Sequence, residues 1–415
     1  MLKNIALSLL AVVLFTNSNF PPNAPILISP ALGDYSTFGS AHLQVAASDA
    51  DGDALDVSFY GRPTSNHAPN FTIAVLPDTQ NYSESYPKYF DAQTSWIHNH
   101  QVDRNIQAVF HLGDVVNSNS SLTQWQNAAA AMSILGTDLP FGLAIGNHDQ
   151  TPSGSPRGST LNFNTYFGIN IFAGRSYYGG HFGSNNDNSY ILFSTSNLDF
   201  IVIFLEYDPF EILTPALRWA DDLLQQYSNR LGIVVAHSIL DTSGNWTSQG
   251  VALESALKDN PNLILMLSGH MHGARMRTDT FVSHIFTTIL TDFQDLPNGG
   301  NGYLRLLEFK PALNQIEANV YSPVLDQNET HYSASHFLLN QNLTPTFRLL
   351  GSQHLAPTDS NASLYWPGMK FDRNYEWYVT VSDGQSTVTS PVWFFRPIVK
   401  GIELHFPTVE LSNTR

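Results

Sequence analysis

The central part of the chain alternates short, almost wholly apolar runs with segments whose apolar residues recur at helical spacing. Runs of this length with apolar side chains on both faces are typical of strands that are buried on both sides of a sheet. Between the runs, Leu122, Trp125, Ala129 and Met132 hold one helical face, and Thr214 with Pro215 marks another helix start. The pattern predicts an α/β core of layered sheet and helices. The apolar runs are Phe71 to Leu76, Ile106 to Leu112, Phe141 to Ile145, Ile233 to Ala236 and Leu263 to Leu267.

Other stretches read as antiparallel strands or loops. Residues 190–194 and 200–205 predict a strand pair with its turn at 196–199, and residues 150–189 predict a long connection that lies over the site. Strand-like alternation also marks residues 25–60 and 375–395. Its spacing is typical of a small β-sandwich, but neither flank alone has enough strands to close one.

Composition narrows the functional classes. The chain has 415 residues, a formal net charge of -16 and only 19 lysines and arginines, so a protein that coats nucleic acid is excluded for lack of a basic face. Small phosphorylated substrates stay possible, because bound metal ions would supply local positive charge. The absence of cysteine excludes disulfides, cysteine-zinc sites and thiol catalysis.

The N-terminus has the pattern of a secretory signal. Lys3 precedes an apolar run from Ile5 to Phe15, which is too short to span a bilayer. We predict a signal peptide over residues 1–19, favoured over an uncleaved anchor, and no transmembrane segment after cleavage. The expected location is therefore secreted, periplasmic or at the cell surface.

Five short polar motifs stand at or just past the ends of the apolar runs. Separately each has an ordinary explanation: Asp78 can begin a turn, Asp114 can cap a helix, and a lone His237 at a strand end can be a satisfied core histidine. Together they supply carboxylates, an amide and imidazoles suited to two borderline divalent metals. Their place predicts a shared site at the carboxyl edge of the sheet. The motifs are Pro77-Asp78-Thr79-Gln80, Gly113-Asp114, Gly146-Asn147-His148-Asp149, Ala236-His237 and Gly269-His270-Met271-His272.

In this order the motifs resemble those of the calcineurin-like metallophosphoesterases, over about residues 70–325. The resemblance implies a layered β-sandwich flanked by helices, in the α/β (α+β) class, and a dinuclear metal centre. It implies that Asp78, Asp114 and His272 hold the first metal, that Asp114 bridges, and that Asn147, His237 and His270 complete the second site. It further implies His148 as general acid or oxyanion stabiliser and Asp149 as the residue that orients it.

One position departs from the pattern that many members share. Gln80 stands where they have histidine, and an amide oxygen is a weaker partner than imidazole for zinc or iron. The form Pro77-Asp78-Thr79-Gln80 resembles one branch of the superfamily, so the change is expected to tune the first metal site without abolishing it. We expect Gln80 to make that site looser and better suited to manganese; the two ions could be manganese, zinc or iron.

The two flanking β segments resemble different halves of a fibronectin type III module. We expect residues 24–66 and 345–397 to form one small all-β sandwich split by insertion of the enzyme, with 398–415 as a tail. Two unrelated β extensions are the alternative. Such a module could contact a cell surface or polysaccharide. Asp49, Asp51 and Asp53 could bind calcium, although a polar turn explains them equally well.

The leading functional hypothesis is an exported phosphoesterase that hydrolyses phosphate monoesters or small diesters by attack of a metal-bridging hydroxide. A cyclic-nucleotide or phospholipid diesterase would use the same metal pair. A catalytically weak protein that binds surfaces through its β-sandwich module is the alternative from another class.

Overall fold

The computed structural model describes residues 19–37, 39–65, 68–152, 158–209, 215–282, 284–356, 361–371 and 373–398. The chain divides into two compact units: a β unit, Met1–Arg62 with Phe347–Arg415, and a central unit, Pro63–Thr346. The expected signal peptide up to residue 18, the helix start at Thr214 and the tail beyond residue 398 lie outside the described residues. Within those residues, no helix combines the length and apolarity needed to cross a bilayer.

The β unit takes its first strands from the N-terminal flank, where alternating residues are buried. In chain order these strands are β1 (Ile26–Ser29), β2 (Asp34–Thr37), β3 (Ala41–Ala46) and β4 (Leu55–Pro63).

The central unit contains all eight α-helices of the described chain and one 3₁₀ turn, Pro311–Leu313. Its strands are β5 (Phe71–Leu76), β6 (Ile106–His111), β7 (Phe141–Leu143), β8 (Tyr178–His181), β9 (Ser189–Thr195), β10 (Leu198–Leu205), β11 (Leu231–Ala236), β12 (Leu263–Ser268), β13 (Gly273–Thr280), β14 (Ile285–Asp292), β15 (Leu304–Lys310), β16 (Gln315–Ser322), β17 (Gln327–Asn328) and β18 (Phe337–Asn340). Its helices are α1 (Gln80–Ser85), α2 (Pro87–Asn99), α3 (Leu122–Ser133), α4 (Leu161–Phe167), α5 (Ile169–Phe172), α6 (Pro215–Gln226), α7 (Ser248–Leu257) and α8 (Pro297–Gly300).

The C-terminal flank returns to the β unit. Its strands are β19 (Arg348–Leu355), β20 (Asn361–Trp366), β21 (Tyr375–Ser382), β22 (Thr387–Thr389) and β23 (Trp393–Ile398). Strand β3 pairs with β1 and β20, and β4 lies between β19 and β21, in a sheet that continues through β23 to β2. Both sheets therefore combine strands from the two flanks.

One hydrophobic core fills the β unit. Leu43 and Val45 of β3, Val57 and Phe59 of β4, and Trp377 of β21 are all fully buried in it. Because residues from distant parts of the chain share this core, the flanks form one folding unit. The likeness to fibronectin type III modules, and contact with a surface or polysaccharide, stay predictions.

The central unit is built on two seven-stranded sheets. One has the order β13-β14-β12-β11-β10-β9-β8 and the other β17-β16-β15-β5-β6-β7, with β18 paired to β16. The strands β5, β6 and β7 run parallel, as do β10, β11, β12 and β14. Their carboxyl ends therefore meet at one edge of each sheet.

Side-chain alternation along β10 shows how the layers are held. Phe200, Val202 and Phe204 belong to the large core shared with β5 and β6, whereas Ile201 and Ile203 pack in a separate core with α6 and α7. The strand is thus buried on both faces, which is why it appears in sequence as a continuous apolar run. The predicted layered β-sandwich flanked by helices is confirmed.

Two local predictions are wrong in detail. Residues 150–189 are not a plain connection, because α4, α5 and β8 lie there, with Phe163 and Phe167 of α4 in the core. The turn between β9 and β10 is tighter than residues 196–199. Leu198 already pairs with Thr195, so the turn is Ser196 and Asn197, at φ of 49° and 69°, as two-residue hairpins require.

Candidate metal centre

All the predicted ligands follow the carboxyl ends of parallel strands. Asp78 follows β5, Asp114 follows β6 and Asn147 follows β7, while His237 directly succeeds β11 and His270 lies just past β12. A pocket of about 310 Å³ collects ligands from these positions, with Asn81, Gln294 and Asp295 also in its lining. The ligands that line it are Gln80, Asp114, Asn147, His270 and His272.

The donors predicted for the second metal form the tightest group. One ligand atom each from Asp114, His237 and His270 lies within 4.8 Å of the others. The Nε2 atom of His237 is 3.1 Å from Asn147 Oδ1 and 3.3 Å from Asp114 Oδ2. The structure therefore brings all four predicted second-site residues together.

The hydrogen bonding of His237 creates a need for positive charge at this point. Its Nδ1 lies 3.0 Å from the carbonyl oxygen of Leu112, which only accepts, so Nδ1 carries the proton. In the neutral ring Nε2 then offers a lone pair, yet it faces two oxygen atoms. Either a second proton or a metal ion must lie between these three acceptors. This donor set fits a divalent cation, and Asn147 and the imidazoles fit zinc, iron or manganese.

The donors predicted for the first metal are more widely spread. Both carboxylate oxygens of Asp78 accept from the backbone amide of His270, at 3.3 and 3.1 Å. The side-chain nitrogen of Gln80 donates to Oε1 of Gln294, while Oε1 of Gln80 is buried without a hydrogen-bond partner in the described structure. His272 is partly exposed, and its Nδ1 contacts Asp295 Oδ1 at 2.5 Å.

Buried carboxylates make the centre strongly anionic. Burial raises the pKa of Asp78 well above its ordinary value, and the charges of Asp292 and Asp114 raise it further. Burial also raises the pKa of Asp292, to about 6. Burial opposes ionisation of Asp114 as well, but the adjacent His237 outweighs it and lowers the pKa of Asp114. Such a cluster is stabilised when a cation binds among the carboxylates.

The contacts of His148 and Asp149 differ from the expected arrangement. His148 Nδ1 lies 2.8 Å from the carbonyl of Asn117, which orients the ring, and its backbone amide donates to Asp114 Oδ1 at 2.8 Å. Asp149 instead accepts from the backbone amides of Gly146, Val115 and Val116. The Asn117 carbonyl therefore orients the His148 ring, and Asp149 links the loop after β6 to the loop after β7.

A buried histidine ties two more ligand loops together. His111, at the end of β6, accepts the backbone N–H of Gly113 at Nδ1, over 3.2 Å, and its Nε2 lies 2.9 Å from Thr79 Oγ1. Burial, together with the charge of His237, lowers the pKa of His111 to about 3, so the ring stays neutral. The loops that present Asp78 and Asp114 are thereby fixed to each other.

Two residues beyond the predicted ligands belong to the centre. Asp292 ends β14 and is fully buried, and Gln294 joins it to the pocket through hydrogen bonds with Gln80 and His272. Neither stands in a recognisable motif. The sequence signal that could have found Asp292 is its place two residues after Leu290, the last apolar residue of the strand Ile285–Asp292.

The family model of calcineurin-like phosphoesterases matches residues 71–274, which contain the whole predicted ligand set. Residues 71–274 belong to the calcineurin-like phosphoesterase family. The calcineurin-like domain thus begins at the first residue of β5 and ends within β13, so Asp292 and Gln294 lie past the matched part.

Proteins similar to this one cover different shares of the chain. The uncharacterized protein YvnB of Bacillus subtilis is 33% identical over 356 residues, which are 79% of this chain and 27% of YvnB. The chain therefore spans about a quarter of that relative's length. A purple acid phosphatase from yellow lupin seeds (Lupinus luteus) is 11% identical with a TM-score of 0.47, covering 77% of this chain and 74% of the phosphatase. The calcineurin-like phosphoesterase YfkN of Bacillus subtilis is 11% identical with a TM-score of 0.36, covering 69% of this chain and 91% of YfkN.

Proposed function

We propose that this protein is a dinuclear metal-dependent phosphoesterase that hydrolyses phosphate monoesters or small diesters. One observation carries the proposal: Asn147 Oδ1 and Asp114 Oδ2 lie 3.1 and 3.3 Å from Nε2 of His237. His270 completes this group. When bound, a pair of divalent ions would supply an activated water and positive charge for the phosphoryl oxygens.

Each of the two ions would be held by a different set of ligands. Asn147, His237 and His270 would hold the second ion, and Asp78, Gln80 and His272 the first, with Asp114 shared between them. Asn147 contributes a neutral oxygen, which keeps the site less anionic and so more accessible to a phosphate group. The Leu112 carbonyl fixes the His237 tautomer, leaving Nε2 as the ligand atom.

His148 is suited to act on the substrate. Its Nδ1 proton is committed to the Asn117 carbonyl, and its ring lines the pocket, so Nε2 is the ring atom available to a bound phosphate. A protonated Nε2 would stabilise the phosphoryl oxygens or donate a proton to the leaving oxygen.

The pocket suits a small substrate. Its volume of about 310 Å³ admits a phosphate ester with a modest leaving group, and its described lining contains no lysine or arginine. A diester carries one negative charge where a monoester carries nearly two, so it needs less compensation in such a pocket. This observation favours small diesters, including cyclic nucleotides or phospholipids, as the second candidate.

Hydrolysis of p-nitrophenyl phosphate and bis-p-nitrophenyl phosphate tests the proposal. We expect activity with added Mn²⁺, loss with a chelator, and a fall in kcat/KM of about 100-fold or more for Asn147→Ala. The exposed-turn variant Asp241→Asn serves as a matched control with wild-type rates. Equal rates for wild type and Asn147→Ala with both substrates would contradict the proposed centre.

We infer that the protein is exported. Lys3 followed by the apolar run from Ile5 to Phe15 supports this, and the lack of cysteine is compatible with export for a chain of this size. Expression of the full chain followed by N-terminal sequencing of protein from the culture medium or periplasm tests it. Retention of Met1 in cytoplasmic protein would contradict it.

A further inference from the structure

Asp292 is a carboxylate that the expected ligand set leaves out. It is the last residue of β14, which runs parallel to β12, so it lies at the same sheet edge as His270 and His272. The side chain is fully buried. Its place in the fold is therefore that of a ligand-bearing strand end.

The contacts of Asp292 leave its charge uncompensated. Oδ1 accepts the backbone amide of Gln294 at 3.0 Å, and Oδ2 accepts the side-chain amide of Gln294 at 3.2 Å. Oδ2 also lies 3.9 Å from Nε2 of His272, the only ion-pair partner within the described chain. A buried carboxylate without a strong positive partner is costly unless a cation binds beside it.

The Nε2 atom of His272 faces the same amide group of Gln294 as Asp292 does. Nδ1 donates to Asp295 at 2.5 Å, so Nε2 is an acceptor, and it takes a hydrogen bond from the Gln294 amide at 2.8 Å. The amide nitrogen of Gln294 thus lies between Asp292 Oδ2 and His272 Nε2. An N–H donor occupies the position where these two acceptors converge.

A second, independent observation points to a ligand here. Gln80 is only 6% exposed and lines the pocket, yet its Oε1 has no hydrogen-bond partner among the described residues. Its amide nitrogen is committed to Gln294. A buried acceptor left without a donor is expected to be matched by an ion or another donor when the site is in use.

We propose that Asp292 is a ligand of the first metal and replaces, as a carboxylate, the donor lost where Gln80 stands in place of histidine. The first site then has Asp78, Asp114, Asp292 and the amide of Gln80, with His272 as its single imidazole. Oxygen-rich sites favour hard ions. The difference in affinity between Zn²⁺ and Mn²⁺ should therefore be smaller at this site than at an imidazole-rich site. The inference rests on the proposed dinuclear centre.

Titration of the chelator-treated full chain with Mn²⁺, followed through the EPR signal of free Mn²⁺, counts the bound ions without any assay of activity. We expect two ions in the wild type and, in Asp292→Asn, one retained ion and one bound at least about tenfold more weakly. Asp279→Asn is the control, because it removes a carboxylate of the same unit that pairs with Arg277 outside the pocket lining. It should keep two ions at wild-type affinity.

A rescue variant separates a lost ligand from a damaged fold. In the Asp292→Asn chain, Gln80→His should restore binding of the ion at the first site, because it adds an imidazole ligand. It should raise the affinity of that site for Zn²⁺ more than for Mn²⁺. Two ions at wild-type affinity in Asp292→Asn, or no rescue by Gln80→His, would overturn the proposal.

The same titration separates this inference from the proposed function. Two ions in the wild type and two ions at wild-type affinity in Asp292→Asn would overturn the role of Asp292 and leave the dinuclear centre standing. A wild-type chain that binds neither Mn²⁺ nor Zn²⁺ would overturn both. A wild-type chain that binds two ions but hydrolyses neither nitrophenyl ester would contradict the function alone.

Discussion

Individual residues in the ligand loops adopt backbone conformations that most side chains avoid. Asp114 and His270 have φ values of 50° and 69°, in the left-handed region. Two glycines in these loops allow the backbone to approach the carboxylates of Asp114 and Asp78 very closely. A Cβ atom on Gly146 would lie 2.1 Å from Asp114 Oδ1, and one on Gly269 would lie 2.0 Å from Asp78 Oδ1. The two carboxylates therefore occupy the space that a side chain at Gly146 or Gly269 would need.

We predict that Gly146→Ala disrupts the second metal site. The added methyl group must displace the Asp114 carboxylate or the β7 loop, so affinity for one Mn²⁺ should fall at least about tenfold. Gly174→Ala is the control, since its φ of 83° makes the substitution strained while the added methyl group meets open space. Mn²⁺ titration and thermal unfolding of both variants provide the measurement. Equal metal affinity in the two variants would contradict this account of Gly146.

The pKa of Asp292 predicts a pH dependence of stability in the metal-free protein. Burial raises the folded-state pKa of Asp292 to about 6, against 3.8 for the free group. The folded state therefore binds a proton on Asp292 more tightly than the unfolded state does. The stability that this protonation contributes is lost as pH rises from about 4 through about 6. Asparagine does not titrate. In chelator, Asp292→Asn should thus gain stability relative to wild type over that range, by up to about 3 kcal/mol.

Urea unfolding at several pH values, with chelator present, measures this difference. It should grow between about pH 4 and 6 and stay level above that range. Arg277 and Asp279 form a partly exposed ion pair, so Asp279→Asn is a control expected to show little change. A stability difference between Asp292→Asn and wild type that is flat from pH 4 to 7 would mean that Asp292 keeps an ordinary pKa.

Sequence could identify most of the site because its ligands stand in compact motifs with glycine or proline neighbours. Sequence alone does not assign Asp292 and Gln294 to the site, because their role depends on strand order: β14 lies next to β12, and the local sequence does not show this pairing. The orientation of His148 by the Asn117 carbonyl was also beyond prediction, since any backbone carbonyl can accept. Geometry of this kind follows from tertiary packing and not from spacing along the chain.

At the level of elements, the strands predicted best are those buried on both faces. β5 matches its apolar run from Phe71 to Leu76, because every residue in it is buried. β13 was missed, since its sequence Gly-Ala-Arg-Met-Arg-Thr-Asp-Thr has few apolar residues and alternate positions are partly exposed. α4 was missed because it is short and its two buried residues, Phe163 and Phe167, stand among asparagine and threonine.

Helix α3 illustrates how one side chain joins several elements. Trp125 is fully buried, stacks on Tyr166 of α4, and contacts Phe163 edge-on. Its Nε1 donates to the Asn119 carbonyl at 2.7 Å, and the Asn119 side chain in turn bonds the backbone oxygen of Asp149. The indole thus supports both helix packing and the loop behind the metal centre.

We predict that Trp125→Ala lowers the free energy of unfolding by about 3–5 kcal/mol, because it leaves a cavity between α3 and α4. Trp125→Phe retains an aromatic ring and loses the hydrogen bond, so its loss should be smaller, about 1–2 kcal/mol. Chemical denaturation followed by circular dichroism checks both values. Similar losses for the two variants would show that the hydrogen bond, and not the packing, dominates.

At the level of the whole molecule, the chain consists of two units with separate cores. The β unit encloses Trp377, Phe59 and Val57, whereas the described ligands all lie in the central unit. A ligand that binds only the folded central unit stabilises that unit by mass action, about 2.7 kcal/mol at a free concentration 100 times its dissociation constant. The described ligands lie outside the β unit, so metal binding is not expected to stabilise that unit directly.

We therefore expect calorimetry of the full chain to show a metal-dependent transition from the central unit and a metal-independent one from the β unit. Mn²⁺ should raise the first, and chelator should lower it. Trp377→Ala identifies the second transition, because removing this fully buried side chain should lower the stability of the β unit by about 3–5 kcal/mol. Asn147→Ala should abolish part of the Mn²⁺ response and leave the Trp377-sensitive transition in place. A single transition that shifts equally with Mn²⁺ and with Trp377→Ala would show instead that the units unfold together, and that metal binding stabilises the β unit as well.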